Sequence, residues 1–309
     1  GSSDLEASKR EAENVRKNVG VCDVTTLGKI DIKGPDAPEF LNRVYTNAWL
    51  KLPVGKARYG VMLREDGIVM DDGTTTRISE NHYHMTTTTA QAANVLSHLE
   101  YYLQIVWSEL NVNVVSTTEQ WAGAAIAGPK SRDLISKISN TDFSNEAFPW
   151  LSGREINVGL APSWAIRMNF VGELGWELHH PIEYQNHIFD RLFEAGENLG
   201  LKPFGIRAMD SLRIEKSYRL VGTELSIEYA AFESGLQRFV HPNKGDFIGR
   251  DALVEWQQRG FNWQFVTVEV HDTTDADALG NNPIFLKGKP VGRATGRSEE
   301  HTSELQSLV

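Results

Sequence analysis

Cysteine is almost absent from this chain: Cys22 is the single one in 309 residues. A lone thiol cannot close an internal disulfide or supply the paired thiolates of a structural zinc site, and it is most often a small buried hydrophobe. Positive charge is also short, with 31 Lys and Arg against 41 Asp and Glu and a formal charge of -10. Such a chain is a poor electrostatic match for a nucleic-acid backbone. No apolar run approaches the roughly 18 residues of a membrane span. The opening stretch GSSDLEASKREAENVRKN has no apolar core of the kind a secretory signal requires. A cytoplasmic protein with no nucleic-acid or membrane partner is expected. Catalytic fingerprints are missing too: there is no GxGxxG after a strand, no GxxxxGKS/T, no HExxH and no GxSxG. The nine histidines show no ligand spacing on a shared helix face, so no metal site is expected.

What is present reads as an ordinary globular composition, 40% hydrophobic and 23% charged. The length suits about two domains. Residues 4–18 are polar helix formers and predict an exposed N-terminal helix. Alternating runs at 21–24, 29–32 and 61–70 predict strands, and 35–44 a short helix with Phe40, Leu41 and Val44 on one face. GIVMDDGTTT at 67–76 reads as a hairpin strand. An amphipathic helix follows at 90–103, then strands at 112–115 and 122–126, and a helix at 130–138 with proline at its first turn. Strands at 164–169 and 175–179 and helices at 184–195 and 207–218 complete this part. Past Gly245, strands at 265–270 and 290–294 look like a separate small β module. The order strand–strand–helix predicts an α+β fold, not a doubly wound parallel sheet.

Three features offer chemistry. Asp71 and Asp72 face opposite sides of a strand, so at most one points into a given site. The plain reading is a hairpin tip solvated by carboxylates. The functional one is a single carboxylate in a cavity that handles a cationic or protonated nitrogen. Glu177, in FVGELGWE at 170–177, faces away from Trp176 and Leu178. It belongs either to an exposed strand face or to a site where a carboxylate accepts two N–H donors from a planar heterocycle. The threonine run 86–89 can N-cap the following helix, with Thr88 among the hydroxyls that could serve a ligand. Three other features read as structural: His179–His180 as a strand dipeptide, Arg213, Lys216 and Arg219 as a solvated helix face, and KGDFIGRDAL at 244–253 as a domain junction.

Together the blocks GIVMDDGTTT, FVGELGWEL, GIRAMDSLRIEKSYR and KGDFIGRDAL resemble the aminomethyltransferase (glycine-cleavage T-protein) family of tetrahydrofolate-binding proteins. Within it, GVCDVTTLGKIDIKGPDAPEFLNRVYTNAW, RYGVMLREDGIVMDDGTTTRI and HMTTTTAQAANVLSHLEYYLQ look like the C-terminal folate-binding half of the alpha subunit of heterotetrameric sarcosine oxidase. The resemblance implies an α+β, three-domain cloverleaf around a central folate channel, ending in a small β-barrel. It places the domains at 4–118, 119–245 and 246–296. It implies Asp72 as the catalytic carboxylate, Glu177 as the residue holding the pterin edge, Phe170 in place of the usual Tyr, and Asp71 and Thr88 as further cofactor contacts. Tetrahydrofolate is the implied cofactor of this part. FMN at a subunit interface, NAD in a preceding half, and beta, gamma and delta subunits belong to the whole complex. The implied activity is transfer of the methylene of a sarcosine-derived imine to tetrahydrofolate. The alternatives are a stand-alone folate-dependent aminomethyltransferase or demethylase, and a non-catalytic folate-binding module. Met209, where T-proteins carry Arg, argues against partnership with a lipoyl carrier. Asp246, where the iron–sulfur-assembly branch has Cys, argues against that branch. The string RSEEHTSELQS at 297–307 matches a translated sequencing adapter. The tail 297–309 is therefore expected to be non-native, the chain a piece of a larger subunit cut at both ends, and the barrel truncated with an open strand edge.

Overall fold

A computed structural model describes residues 2–271, 280–297 and 303–308. The chain opens with α1 (Ser2–Lys17), β1 (Val19–Asp23), β2 (Gly28–Lys33) and α2 (Ala37–Val44). Strands β3 (Ala57–Leu63), β4 (Val69–Ser79) and β5 (His82–Thr87) follow, then α3 (Ala92–Tyr101) and β6 (Asn113–Ser116). Next come β7 (Trp121–Ala127), α4 (Ser131–Ile138), β8 (Gly153–Val158), β9 (Ala161–Ile166), β10 (Gly175–Pro181), α5 (Gln185–Gly196), β11 (Leu201–Pro203) and α6 (Ile206–Glu215). Helix α7 (Arg250–Arg259) precedes β12 (Phe265–Val270), β13 (Pro283–Leu286), β14 (Lys289–Arg297) and β15 (Ser303–Leu308).

The strands form three sheets, ordered β3-β4-β5-β2-β6, β11-β1-β7-β10-β9-β8 and β12-β15-β14-β13. Apart from the parallel pair β1/β11, the pairings are antiparallel. This is the α+β architecture that the element order predicts. The C-terminal barrel is open, as its expected truncation implies: among the described residues the third sheet has four strands and leaves β12 and β13 as edges. Four strands enclose no interior that side chains could fill. Residues 303–308, within the stretch expected to be a non-native tail, pair with both β12 and β14. Strand β1 pairs with β7 of the second sheet, although the sequence groups residues 19–23 with 4–118.

Each of the two larger sheets packs helices on a core-facing side. Phe40, Leu41 and Val44 of α2, with Val95 and Leu99 of α3, cover the first sheet. Leu134 and Ile135 of α4, with Ile188 and Leu192 of α5, cover one face of the second. Helices α1 and α6 cover its other face through Ala12, Val15, Ala208 and Leu212. The first helix is therefore not simply exposed, because Ser8, Ala12 and Val15 form a buried stripe at helical spacing. Their small size hid that stripe among polar neighbours. Helix α3 passes into a π turn at Tyr102–Val106. No helix among the described residues is long and apolar enough to cross a membrane.

Two departures from the sequence reading shape the site. The run 61–70 is not one strand: the chain reverses at 64–67, where the Gly67 N–H bonds Arg64 O at 3.0 Å and Gly67 adopts a φ of 82°. Asp71 and Asp72 consequently lie in mid-strand, away from any hairpin tip. The basic run expected as one solvated helix face is divided: α6 ends before Lys216, which is exposed, while Arg213 is 1% exposed. It donates to Glu224 at 2.8 Å, Asp210 at 2.6 Å and the Tyr218 carbonyl at 2.9 Å.

Candidate functional site

Strand β4 carries the acidic pair between β3 and β5. Val61 is the cross-strand partner of Asp72, and Met62 that of Asp71. Tyr59 lies two residues before Val61, the diagonal position from which an aromatic side chain can reach across strands. Its hydroxyl donates to Asp72 Oδ2 at 2.6 Å. Asp72 is half-buried. Burial pushes its carboxyl up to about 6, while the Tyr59 hydrogen bond pulls the other way. Next to it Gly60 faces Gly73 across the strands. A Cβ on Gly73 would stand 2.0 Å from Thr86 O, and one on Gly60 2.5 Å from the Tyr45 ring. Only glycine allows these neighbours to close over the strand at this point.

Asp71 points the other way and is fully buried. Its Oδ2 accepts the Thr88 N–H at 3.2 Å, and its Oδ1 has no partner among the described residues. Burial, then the neighbouring charge of Asp72, push the Asp71 carboxyl up to about 7, against the hydrogen bonds from Thr88. Thr88 makes no side-chain cap bond, so the capping role expected of the threonine run is not filled at that residue.

A raised carboxyl pKa means that the folded state holds a proton the unfolded chain releases. The associated stabilisation is full below about pH 4 and is lost as pH rises through about 7. Asp71→Asn should therefore flatten the fall in stability between about pH 5 and about pH 8. Urea midpoints of both proteins at the two pH values check this, and parallel shifts would remove the assignment.

Glu177 sits within the second sheet, between Ala125 of β7 and Ile166 of β9. It is 6% exposed, so the exposed-face reading does not hold. His179, two residues on and on the same face, places Nε2 at 3.3 Å from Glu177 Oε2. Glu177 Oε1 has no donor among the described residues and is not among their sealed-off polar atoms. Lys29 is also fully buried, its ammonium held by the carbonyls of Thr25 at 2.6 Å and Leu27 at 2.9 Å. Burial pulls Lys29 down to about 8, against the charges of Asp23, Glu119 and Glu177. Phe170, in the loop before β10, is half-buried and stacks on Tyr218 with ring centres 6.0 Å apart and planes 25° apart.

Asp71 and Thr88 thus meet on one side of β4 and Asp72 lies on the other, while Glu177 and Phe170 belong to the second lobe. No hydrogen bond joins Asp72 to Glu177 among the described residues. The lobes meet through the Gly153 N–H bond to Gly55 O at 2.9 Å and through the His84 and His179 rings, 5.3 Å apart. Tyr59, Lys29, His179 and Tyr218 were not singled out from the sequence as site residues. For His179, the two-residue spacing from Glu177 on one strand was the available signal. Among the described residues no group of three His, Cys, Asp or Glu side chains could hold a metal ion. KGDFIG docks as a junction: Phe247 and Ile248 are buried, and the Ile248 N–H bonds Arg43 O at 3.0 Å.

Three sheets in this order, with helices on the larger two, define the architecture of an aminomethyltransferase. The glycine cleavage system aminomethyltransferase T from Bartonella henselae superposes with a TM-score of 0.86 over 98% of this chain and 81% of that one, at 22% identity, which is a likeness of fold. The family model for the GCVT N-terminal domain matches residues 2–244, and the chain belongs to that family. Sarcosine oxidase subunit alpha of Rhizobium meliloti (strain 1021) is 49% identical over 250 residues, covering 80% of this chain and 25% of that subunit. Aminomethyltransferase of Thermoanaerobacter sp. (strain X514) is 31% identical over 262 residues, covering 85% of this chain and 70% of the relative. The chain therefore spans about a quarter of the length of the sarcosine oxidase subunit it matches.

Proposed function

We propose that this chain is the tetrahydrofolate-binding part of a sarcosine oxidase alpha subunit. In this role it passes the methylene of the sarcosine-derived imine to tetrahydrofolate, giving 5,10-methylenetetrahydrofolate and glycine. The observation that carries the reading is Asp72, a half-buried carboxylate tuned to about 6 and fixed through one oxygen by Tyr59. At neutral pH it is mostly ionised, yet basic enough to take a proton from a nearby nitrogen.

Tetrahydrofolate supplies the nitrogens that accept the one-carbon unit. The residues present fit such a ligand. Glu177 offers an unpartnered oxygen to the N–H edge of a planar heterocycle. Phe170, backed by Tyr218, offers a ring face but no hydroxyl. Asp72 Oδ2 is engaged by Tyr59, leaving Oδ1 to stabilise the positive charge of an iminium and to relay a proton from the incoming nitrogen to the departing glycine amine. Holding the two reactants together replaces a bimolecular encounter, and no nucleophilic side chain is needed. FMN at a subunit interface, NAD, and the beta, gamma and delta subunits are assigned to other parts of the complex. This chain carries no glycine-rich dinucleotide fingerprint of its own.

Glu177→Gln should weaken tetrahydrofolate binding by about 1.5–3 kcal/mol, the worth of a hydrogen bond to a charged group. Calorimetric titration measures it, and an unchanged Kd would remove Glu177 from the pterin site.

A further inference from the structure

A run of buried contacts leads from Glu177 into the first sheet. His179 is fully buried, with Nε2 3.3 Å from Glu177 Oε2. Its ring meets that of His84 on β5 edge to face, with centres 5.3 Å apart and planes at 80°. His84, 3% exposed, points Nδ1 at Asp31 Oδ1 on β2, 3.0 Å away. Asp31 Oδ2 lies 3.0 Å from His82 Nε2 and 3.3 Å from Lys33 Nζ.

The chemistry of these contacts fixes the hydrogens. An ionised carboxylate only accepts, so His84 carries its proton on Nδ1 and His179 on Nε2. Burial pulls His84 below the ordinary imidazole range, against the hydrogen bond to Asp31. The remaining nitrogens, His84 Nε2 and His179 Nδ1, are buried without partners among the described residues. Each unpaired nitrogen costs free energy that an apolar side chain of similar size would not. Among the described residues His179 makes one hydrogen bond, the one to Glu177.

We propose that His179 is a positioning residue for Glu177. Its Nε2–H holds Oε2 and sets the rotation of the carboxylate, so that Oε1 is the oxygen presented to the ligand. His84, braced by Asp31, wedges the His179 ring in place, and the orientation of a carboxylate in the second sheet thereby depends on the first. This rests on the reading that Glu177 binds a reduced folate.

The test is calorimetric titration of tetrahydrofolate into the full chain and into His179→Leu, His179→Gln, Glu177→Gln and the double variant His179→Leu/Glu177→Gln. His179→Leu should weaken binding about tenfold or more, the loss expected for one hydrogen bond to a charged group. His179→Gln, whose amide reaches the same oxygen, should stay within about threefold. In the Glu177→Gln background the leucine should cost nothing further, because its effect passes through that carboxylate. Should His179→Leu fail to fold, His179→Asn, too short to reach Glu177, takes its place with the same expected loss. The proposal is overturned if Glu177→Gln weakens binding while the His179 variants bind as wild type. It is equally overturned if the two losses multiply. Wild-type binding by Glu177→Gln itself would instead overturn the folate reading on which the proposal rests.

Discussion

Asp72→Ala is expected to lower methylene transfer about tenfold or more while leaving tetrahydrofolate binding nearly intact. The carboxylate is the one group in mid-β4 that is both part-exposed and tuned close to neutrality. Alanine removes the acceptor for the proton of the attacking nitrogen and the negative charge beside the iminium. Glu177 and Phe170, which hold the pterin in this reading, lie on other elements and are left in place. The measurement is single-turnover transfer from the imine of glycine and formaldehyde to the folate-loaded chain. Wild-type rates in the variant would end the role. Tyr59 loses its 2.6 Å acceptor in the same variant, so the melting temperature should be recorded beside the rate.

The largest stability effect is expected at Glu224. It is fully buried and accepts from Arg213 at 2.8 Å, Thr223 at 2.6 Å, the Leu220 N–H at 3.0 Å and Thr295 at 2.6 Å. Glu224→Ala would remove a fully buried counter-charge from the guanidinium of Arg213, itself 1% exposed. The loss should be about 3–5 kcal/mol, the usual cost of breaking a buried, hydrogen-bonded ion pair from one side. Urea unfolding measures it, and a loss below about 1 kcal/mol would mean that Asp210 and water replace Glu224. The consequence reaches the site, since Arg213 also holds the Tyr218 carbonyl and Tyr218 backs Phe170. Thr295 lies on β14, so the same cluster clasps the third sheet to α6.

Much of the fold was legible because its elements are strongly periodic. Phe40, Leu41 and Val44 mark α2, and Val95 and Leu99 mark α3, by spacing alone. What escaped depended on tertiary position. The polar string GREINV of β8 does not alternate cleanly, yet its Ile156 and Val158 enter the core. Ala12 and Val15 bury a face of α1 that composition alone reads as exposed. Asp72 and Glu177 are named as site residues only through the resemblance, whereas residue patterns alone leave each open between a solvated surface and a working carboxylate. Burial removes the outer-face reading of Glu177, and burial is a property of strand neighbours distant in sequence. Tyr59, 13 residues from Asp72, and His84, close to His179 in space but on another sheet, are visible only once the strands pair.

Titration of tetrahydrofolate into the wild-type chain tests the folate site most directly. Saturable binding of about one molecule per chain, weakened in Glu177→Gln and retained in Asp72→Ala, is the expected result. A folded chain that gives no saturable binding, or that binds equally in all three proteins, would contradict the assignment of these residues to a folate site.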